Sequence, residues 1–355
     1  MEDHRLVFLA GVILLCVCCI ITYVFIRGSP RKSEPLFYVW SVFAFTACID
    51  LILALDLDGY LRGFMSFYLE EGEPYLKTAH GTLINWWDGT GHYSMYLTLL
   101  SLCTTGRSYR DLGLYWAGSI GNSMLVLMTG SISGRFGIKW SYMLNIPYVV
   151  FPFWAAVRFL NEGRKPSRRQ DSLTAVPSIW TRPLDLIFVL YLVFSTIVAF
   201  CRAMVVLGCG DAWAKTYLKD YEPYLMDNNN FPKMQMLVYF FYFAPFYVAA
   251  IYGLMYTEGQ SWLSDWSLLH AGASAQAQIS HIGSSFHDLT ATELHVPPTH
   301  QARQIFWIIN FGCLLIGPQL LAIRCYFFNG NSTGKLAHST INENSPSVHK
   351  RKKYR

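Results

Sequence analysis

Long apolar stretches alternate with short polar segments along the whole chain, and each stretch is long enough to cross a bilayer. A transmembrane helix needs about 20 mostly apolar residues. The pattern predicts nine such helices, near residues 6–26, 36–57, 81–103, 113–132, 141–160, 184–207, 234–256, 266–284 and 304–323. We therefore predict an all-α polytopic membrane protein with about nine transmembrane helices.

The basic residues predict how these helices are oriented, because Lys and Arg favour cytosolic loops. They concentrate in segments 27–35 and 158–183 and in the C-terminal tail, which lie on one side if nine helices cross. The N-terminus is then lumenal and the tail cytosolic, although loop 257–265, on the cytosolic side, has no basic residue. The final KKYR resembles a dilysine signal for the endoplasmic reticulum, and a basic tail held near anionic lipid heads is an equal alternative.

The tetrapeptide EPYL occurs twice and predicts an internal repeat. It ends two related loops, FMSFYLEEGEPYL and WAKTYLKDYEPYL, and each loop follows an apolar helix with one charge, Asp50 or Arg202. Three more predicted helices follow each copy, so we predict a duplicated four-helix unit, the alternative being chance similarity among apolar helices. The predicted division is an N-terminal span and basic loop (1–34), a first repeat (35–160), a basic cytosolic linker (161–182), a second repeat (183–326) and a disordered basic cytosolic tail (327–355).

Composition agrees with a membrane protein and excludes several classes of site. Hydrophobic residues make up 53% and charged residues 14%, whereas soluble domains average about 25% charged residues. Most of the nine cysteines lie within or beside the apolar stretches, and no CxxC pair has metal-ligand spacing. We therefore predict no metal site and no cofactor. We also predict no nucleic-acid partner, since the net charge of +5 comes mainly from loops and the tail.

The segment NWWDGTGHY places ionisable residues inside a predicted transmembrane helix. Asp88 and His92 are four residues apart and therefore share one helix face, where a carboxylate and an imidazole form a plausible proton-handling pair. Trp86 and Trp87 could attract a cation, and Asp50 is a second acid in the preceding helix. We predict Asp88, His92 and Asp50 as catalytic candidates. The alternative is a hydrogen-bonded network that fixes helix packing.

Two further positions, Glu73 and His281, enter the list of ligand-binding candidates. Glu73 and Glu222 stand at the EPYL loops, where each could cap a helix or form the mouth of a cavity; a solvated loop carboxylate is the favoured interpretation for both. His281 belongs to a polar stripe on the eighth predicted helix, for which interhelical packing is the favoured interpretation. The predicted ligand-binding residues are Asp50, Asp88, Trp86, Trp87, Glu73 and His281.

The motifs FAFTACIDLILAL, EGEPYLKTAHG, WWDGTGHY, GLYWAGS and HAGASAQAQISHIGSSFH closely resemble the transmembrane 6 superfamily. The resemblance implies two tandem EXPERA domains, the four-helix module shared with the emopamil-binding sterol isomerase and the sigma-2 receptor. It also implies residence in the endoplasmic reticulum and the ER–Golgi intermediate compartment. The implied role is in triglyceride secretion and lipid-droplet content.

The resemblance extends to single residues only in the first repeat. Asp50 and Asp88 match two acids that contact amine ligands in the sigma-2 receptor, whereas the second repeat has Arg202 and Tyr239 there. The sterol isomerase has a glutamate four residues after its histidine, and this chain has Tyr96 after His92. The isomerase's third-helix glutamate also has no counterpart, because that region offers Asn122.

Three functions are consistent with these features. The favoured one is a regulator of lipid metabolism that binds a sterol or other neutral lipid in an intramembrane cavity. The alternative is a sterol double-bond isomerase that uses Asp88 and His92. The third is a transporter, for which glycine or proline breaks at matching places in the helices of the two repeats are lacking. The expected partners are a sterol or neutral lipid, the bilayer, and membrane or lipoprotein-assembly proteins of the endoplasmic reticulum.

Overall fold

In the computed structural model, residues 3–28, 33–63, 65–162, 178–256 and 261–327 are described, and their regular structure is helical without strands. Residues 163–177 of the predicted basic linker (161–182) and residues 328–355 of the predicted tail (327–355) lie outside the described residues. The α-helices are α1 (Asp3–Ile26), α2 (Pro35–Leu57), α3 (Ala79–Trp87), α4 (Tyr93–Thr104), α5 (Arg110–Ser133), α6 (Ile146–Glu162), α7 (Pro183–Val206), α8 (Ala212–Asp220), α9 (Phe231–Val238), α10 (Ala244–Tyr256), α11 (Ser261–Ser284), α12 (His300–Trp307) and α13 (Gly317–Phe327).

All nine predicted spans lie on helical segments, and the predicted fold class, an all-α polytopic membrane protein, is confirmed. Six segments are long and apolar enough to cross a membrane, namely Val7–Ile26, Pro35–Leu57, Trp140–Glu162, Pro183–Val206, Phe231–Tyr256 and His300–Tyr326. The remaining three predicted spans correspond to α3–α4, α5 and α11. α5 and α11 carry many buried polar residues, which lowers their hydropathy.

Local sequence explains where the helices begin. α2 starts at Pro35, whose fixed φ suits the first helical position, and the Glu34 side chain accepts a hydrogen bond from the Leu36 amide at 3.3 Å. α7 also begins with a proline, Pro183. α3 is capped by Thr78, whose hydroxyl accepts from the Gly81 amide at 3.1 Å.

The order of elements from α2 to α6 recurs from α7 to α13. Each EPYL segment forms a 3₁₀ turn, Pro74–Lys77 or Pro223–Met226, preceded by a glutamate with nearly the same backbone. Glu73 has φ −130° and ψ 71°, and Glu222 has φ −138° and ψ 65°. The next helix of each half contains one π-helical turn, Asp88–His92 or Tyr239–Phe243. Asp88 and Tyr239 thus begin equivalent turns.

The two halves meet along α5 and α11, which touch backbone to backbone. Gly118 of α5 lies against the Leu269 carbonyl of α11, and Gly272 of α11 lies against the Tyr115 carbonyl of α5. Small residues allow such close approach between membrane helices. Polar side chains add to this interface: Arg110 donates to both carboxylate oxygens of Asp265 at 2.9 and 2.5 Å, and Asn122 donates to Gln276 at 2.5 Å and to Gln235 at 3.1 Å.

Candidate functional site

A cavity of about 440 Å³ lies in the first half of the chain, and this volume falls within the usual range for small-molecule sites. Most of its wall is apolar, with side chains from α1, α2, α3, α5 and the 140–148 segment. Three carboxyl groups line it, from Asp50 on α2, Glu73 before the 3₁₀ turn and Asp88 at the π turn. The structure therefore brings together three of the predicted site residues.

Asp50 provides the carboxylate of α2. Among the described residues no hydrogen bond to its side chain is found, and the carboxyl groups of Asp88 and Glu73 line the same cavity. One turn before it, the Thr46 hydroxyl accepts a hydrogen bond from Tyr148, which also lines the cavity. The Asp50 carboxyl group is thus open to a hydrogen-bond donor that enters the cavity.

Glu73 is buried and hydrogen-bonded, so the solvated-loop interpretation for it is wrong. Its carboxylate accepts from the Tyr68 hydroxyl at 2.8 Å and from the Asn145 amide at 2.5 Å. Only 6% of the residue is exposed. Burial raises the pKa of Glu73, although hydrogen bonds from Tyr75, Tyr68 and Asn145 act in the opposite direction.

Asp88 and His92 form the hydrogen-bonded pair that the sequence predicts. His92 is fully buried behind Asp88, whose side chain is 23% exposed and lines the cavity. Ser119 of α5 lies 2.8 Å from the second ring nitrogen of His92 and accepts a hydrogen bond from the Trp87 indole at 3.0 Å. Because Trp87 uses the Ser119 oxygen as acceptor, the Ser119 hydroxyl is free to donate to His92 Nε2. A neutral ring with its proton on Nδ1 satisfies both contacts, because it donates to Asp88 and accepts at Nε2.

Three other predicted ligand-binding residues do not line this cavity. Trp86 donates from its indole to Asp58 at 2.7 Å, at the exposed end of α2, where His287 also reaches Asp58. Trp87 donates from its indole to Ser119 at 3.0 Å and to His92 Nε2 at 3.3 Å. His281 belongs to the second half, with Nε2 at 4.0 Å from Glu222.

The second half contains a buried ion pair at the equivalent place. The Arg202 guanidinium donates to Glu222, to the Asn310 side-chain oxygen at 2.7 Å and to the Tyr217 hydroxyl at 3.1 Å. Asn310 also donates to Glu222 at 2.7 Å. Burial alone would raise the pKa of Glu222, but the positive charge of Arg202 holds that pKa below its usual value.

Each half therefore surrounds the glutamate of its EPYL segment with the same types of side chain, an arrangement that we call the cradle. In the first half Tyr68 and Asn145 donate to Glu73. Around Glu222, a tyrosine and an asparagine recur as Tyr217, which accepts from Arg202 and is hydrogen-bonded to Glu222, and Asn310, which donates to Glu222. The difference lies in the preceding helix, where the first half has Asp50 and the second has Arg202. An internal cation thus fills the second cradle, whereas the first is lined by acids.

Within the described part of the chain, no group of three or more His, Cys, Asp and Glu side chains is arranged to hold a metal ion. No disulfide bond joins the cysteines of this part. The residues that sequence reasoning did not single out are Tyr68, Asn145 and Ser119. Tyr68 and Tyr217 stand at the same place in the two repeated loops, which is the signal that could have revealed the tyrosines.

Comparison with known proteins relates residues 1–170 to a family model described as "Transmembrane 6 superfamily member 2-like, transmembrane domain". The protein named "Transmembrane 6 superfamily member 2" of Mus musculus is 44% identical over 297 residues, covering 82% of this chain and 78% of the relative. Its namesake from Homo sapiens is 42% identical over 300 residues, covering 82% and 78% respectively. No solved structure matches the chain.

Proposed function

The chain belongs to the transmembrane 6 superfamily, in its member 2-like family, and from this premise we propose that it regulates lipid metabolism by binding a sterol or other neutral lipid. The proposed location is the membrane of the endoplasmic reticulum and the ER–Golgi intermediate compartment. The proposed physiological outputs are triglyceride secretion and lipid-droplet content, and the proposed protein partners belong to the same membrane or to lipoprotein assembly.

The cavity of the first half is the observation that carries the lipid-binding proposal. It offers about 440 Å³ with a mainly apolar wall and three carboxyl groups, Asp50, Glu73 and Asp88. Such a site favours an amphiphile, because an apolar body covers the wall while one polar group meets the acids. A carboxylate can only accept hydrogen bonds. The polar group of the ligand is therefore a donor, such as the hydroxyl of a sterol.

The comparison of the two halves supports the same assignment. In the second half the Arg202 guanidinium occupies the cradle as an internal donor to Glu222. In the first half Asp50 takes the place of this arginine and supplies an acceptor instead of a donor. We interpret the second cradle as filled by the protein's own side chain and the first as open for a ligand. The two proposed repeats, residues 35–160 and 183–326, thus differ in role.

Asp50→Asn is the substitution that tests the lipid-binding proposal. We expect labelling by a photoactivatable sterol to need about tenfold or more probe, because a hydrogen bond to a charged group contributes about 1.5–3 kcal/mol. The measurement is a titration of covalent labelling in reconstituted vesicles. Glu70→Gln is the matched control, since it also removes one negative charge but Glu70 is exposed to solvent. Equal labelling of all three proteins would contradict the proposal.

The Asp88–His92–Ser119 chain favours sterol double-bond isomerisation as the second candidate function. Protonation at one carbon of the double bond gives a carbocation, and loss of a proton from another carbon completes the shift. Asp88 faces the cavity and contacts His92 behind it, so a proton could pass between cavity and ring. Asp50 and Glu73 would stabilise the carbocation electrostatically. Trp86 has no such role, because its indole is directed to Asp58.

Turnover by the purified protein decides between the two candidates. If the isomerase function is present, Asp88→Asn should lower the rate by about 100-fold, which is typical of a lost general acid or base. His92→Gln should lower it as well while sterol labelling persists. Absence of turnover in the wild type, with labelling retained, would remove the isomerase function and leave lipid binding in place.

A further inference from the structure

Helix α1 lies at the edge of the bundle and stands outside the elements that recur in the two halves. Only 6% of its most apolar stretch is buried within the protein. Its main contacts are with α2, the π-helical turn Tyr68–Gly72 and the 3₁₀ turn Trp140–Asn145. Most of the surface of this helix therefore faces lipid.

One face of α1 nevertheless closes the cavity of the first half. Val7, Ala10, Gly11, Leu14 and Leu15 line the cavity, and their spacing of three and four residues places them along one side of the helix. All five are apolar. The carboxyl groups of Asp50, Glu73 and Asp88 come from other elements, so the side of the cavity that α1 forms has no acidic residue.

The contact that closes this wall is apolar packing. Gly11 lies against Leu144, where an added Cβ would be 2.6 Å from a leucine methyl carbon. Val7 packs against Gly72 of the Tyr68–Gly72 turn, where an added Cβ would be 3.3 Å from a valine methyl carbon. Between Val7 and Ile26, the part of α1 whose side chains are described, no side chain makes a hydrogen bond or ion pair to the rest of the described bundle.

Movement of α1 therefore requires little free energy in a bilayer. Lipid tails are as apolar as leucine, so separation of α1 from Leu144 exchanges helix packing for lipid packing. The opposite is true of α5 and α11, which are held by the Arg110–Asp265 pair and by buried amide hydrogen bonds. A ligand can thus reach the cavity more readily past α1 than through the centre of the bundle.

We propose that α1 is a lateral gate and that the cavity is loaded directly from the bilayer, through the seam between Gly11 and Leu144. The ligand is then a membrane-dissolved amphiphile whose donor group reaches Asp50, Glu73 and Asp88 while its apolar body lies against α1. This inference rests on the proposed lipid-binding function and adds the route of entry. Because Gly11 lines the cavity without a side chain, the proposal also makes this residue a determinant of which apolar ligands fit.

A reversible crosslink across the seam tests the gate. Gly11→Cys and Leu144→Cys are combined in a chain whose nine native cysteines are replaced, and Leu144→Cys removes the methyl groups that the new Cβ would meet. A short bifunctional methanethiosulfonate should reduce sterol uptake from vesicles at least tenfold, and a reductant should restore it. Crosslinking after loading should trap the photoactivatable sterol during dilution into probe-free vesicles.

The control pair is Gly113→Cys with Phe159→Cys, which joins α5 to α6 at another glycine–side-chain contact away from the cavity. This crosslink should leave uptake unchanged. Equal uptake by the reduced and crosslinked Gly11/Leu144 protein would overturn the gate while leaving lipid binding intact. Failure of the reduced protein and the wild type to take up any sterol would overturn the proposed function, and the gate with it.

Discussion

Replacing Arg202 with methionine should destabilise the protein by about 3–5 kcal/mol, the cost of removing one partner of a buried ion pair. Arg202 is 1% and Glu222 is 2% exposed, so the glutamate would be left buried without its counter-charge. Tyr217 and Asn310 would each lose a hydrogen-bond partner as well. The measurement is the thermal unfolding temperature of the purified protein in detergent, which should fall well below that of the wild type.

The double variant Arg202→Met/Glu222→Gln tests the physical reason for this effect. Removing both charges removes the desolvation cost of each, so the double variant should recover much of the lost stability. Arg158→Met is the matched control, because Arg158 pairs with Glu34 at a partly exposed site where about 1 kcal/mol or less is expected. A double variant less stable than Arg202→Met would contradict the isolated-charge explanation.

Hydropathy was sufficient to predict the helices because the bilayer imposes their length. Each predicted span begins and ends within a few residues of a helical segment, including the more polar ones that form α5 and α11. The π turns could not be predicted, since they depend on packing that single-sequence patterns do not contain. The Asp88–His92 turn is one of them.

The candidate site was predictable only where a single residue was conspicuous. Asp50 and Asp88 are acids inside apolar helices, and both line the cavity. Trp86 was predicted beside them by sequence proximity, but a residue two positions away lies roughly 200° around a helix, and its indole reaches Asp58 instead. Asn145 lies 72 residues from Glu73, so only the folded chain could reveal that contact.

The buried charges of the two halves lead to different energetic roles. In the second half, the charges of Arg202 and Glu222 neutralise each other inside the protein. In the first half, Asp50, Glu73 and Asp88 place three acceptors around one cavity without a basic side chain among its lining residues. Like charges in one apolar site are unfavourable unless a donor or a proton is present. A bound donor would therefore stabilise the first half, as the proposed lipid binding requires.

Gly118→Ala should prevent correct assembly of the two halves. An alanine Cβ at this position would lie 1.8 Å from the Leu269 carbonyl oxygen and 2.7 Å from its carbon. These are backbone atoms, so a side-chain rotation cannot relieve the collision, and α5 must move away from α11. Even side-chain overpacking costs about 1–3 kcal/mol, and separation of these helices would also weaken the Arg110–Asp265 and Asn122–Gln276 contacts. We expect little folded protein to elute as a single species in size-exclusion chromatography.

Gly121→Ala is the matched control for that substitution, because Gly121 lies on the same helix and has nothing within 4 Å of an added Cβ. Alanine is the better helix former by about 0.5–1 kcal/mol. The control should therefore fold at least as well as the wild type in detergent. If Gly118→Ala folds as well as Gly121→Ala, α5 and α11 do not touch at this point, and the glycine contact is not what joins the halves. If only Gly118→Ala fails, the close approach of the two backbones is required for the fold.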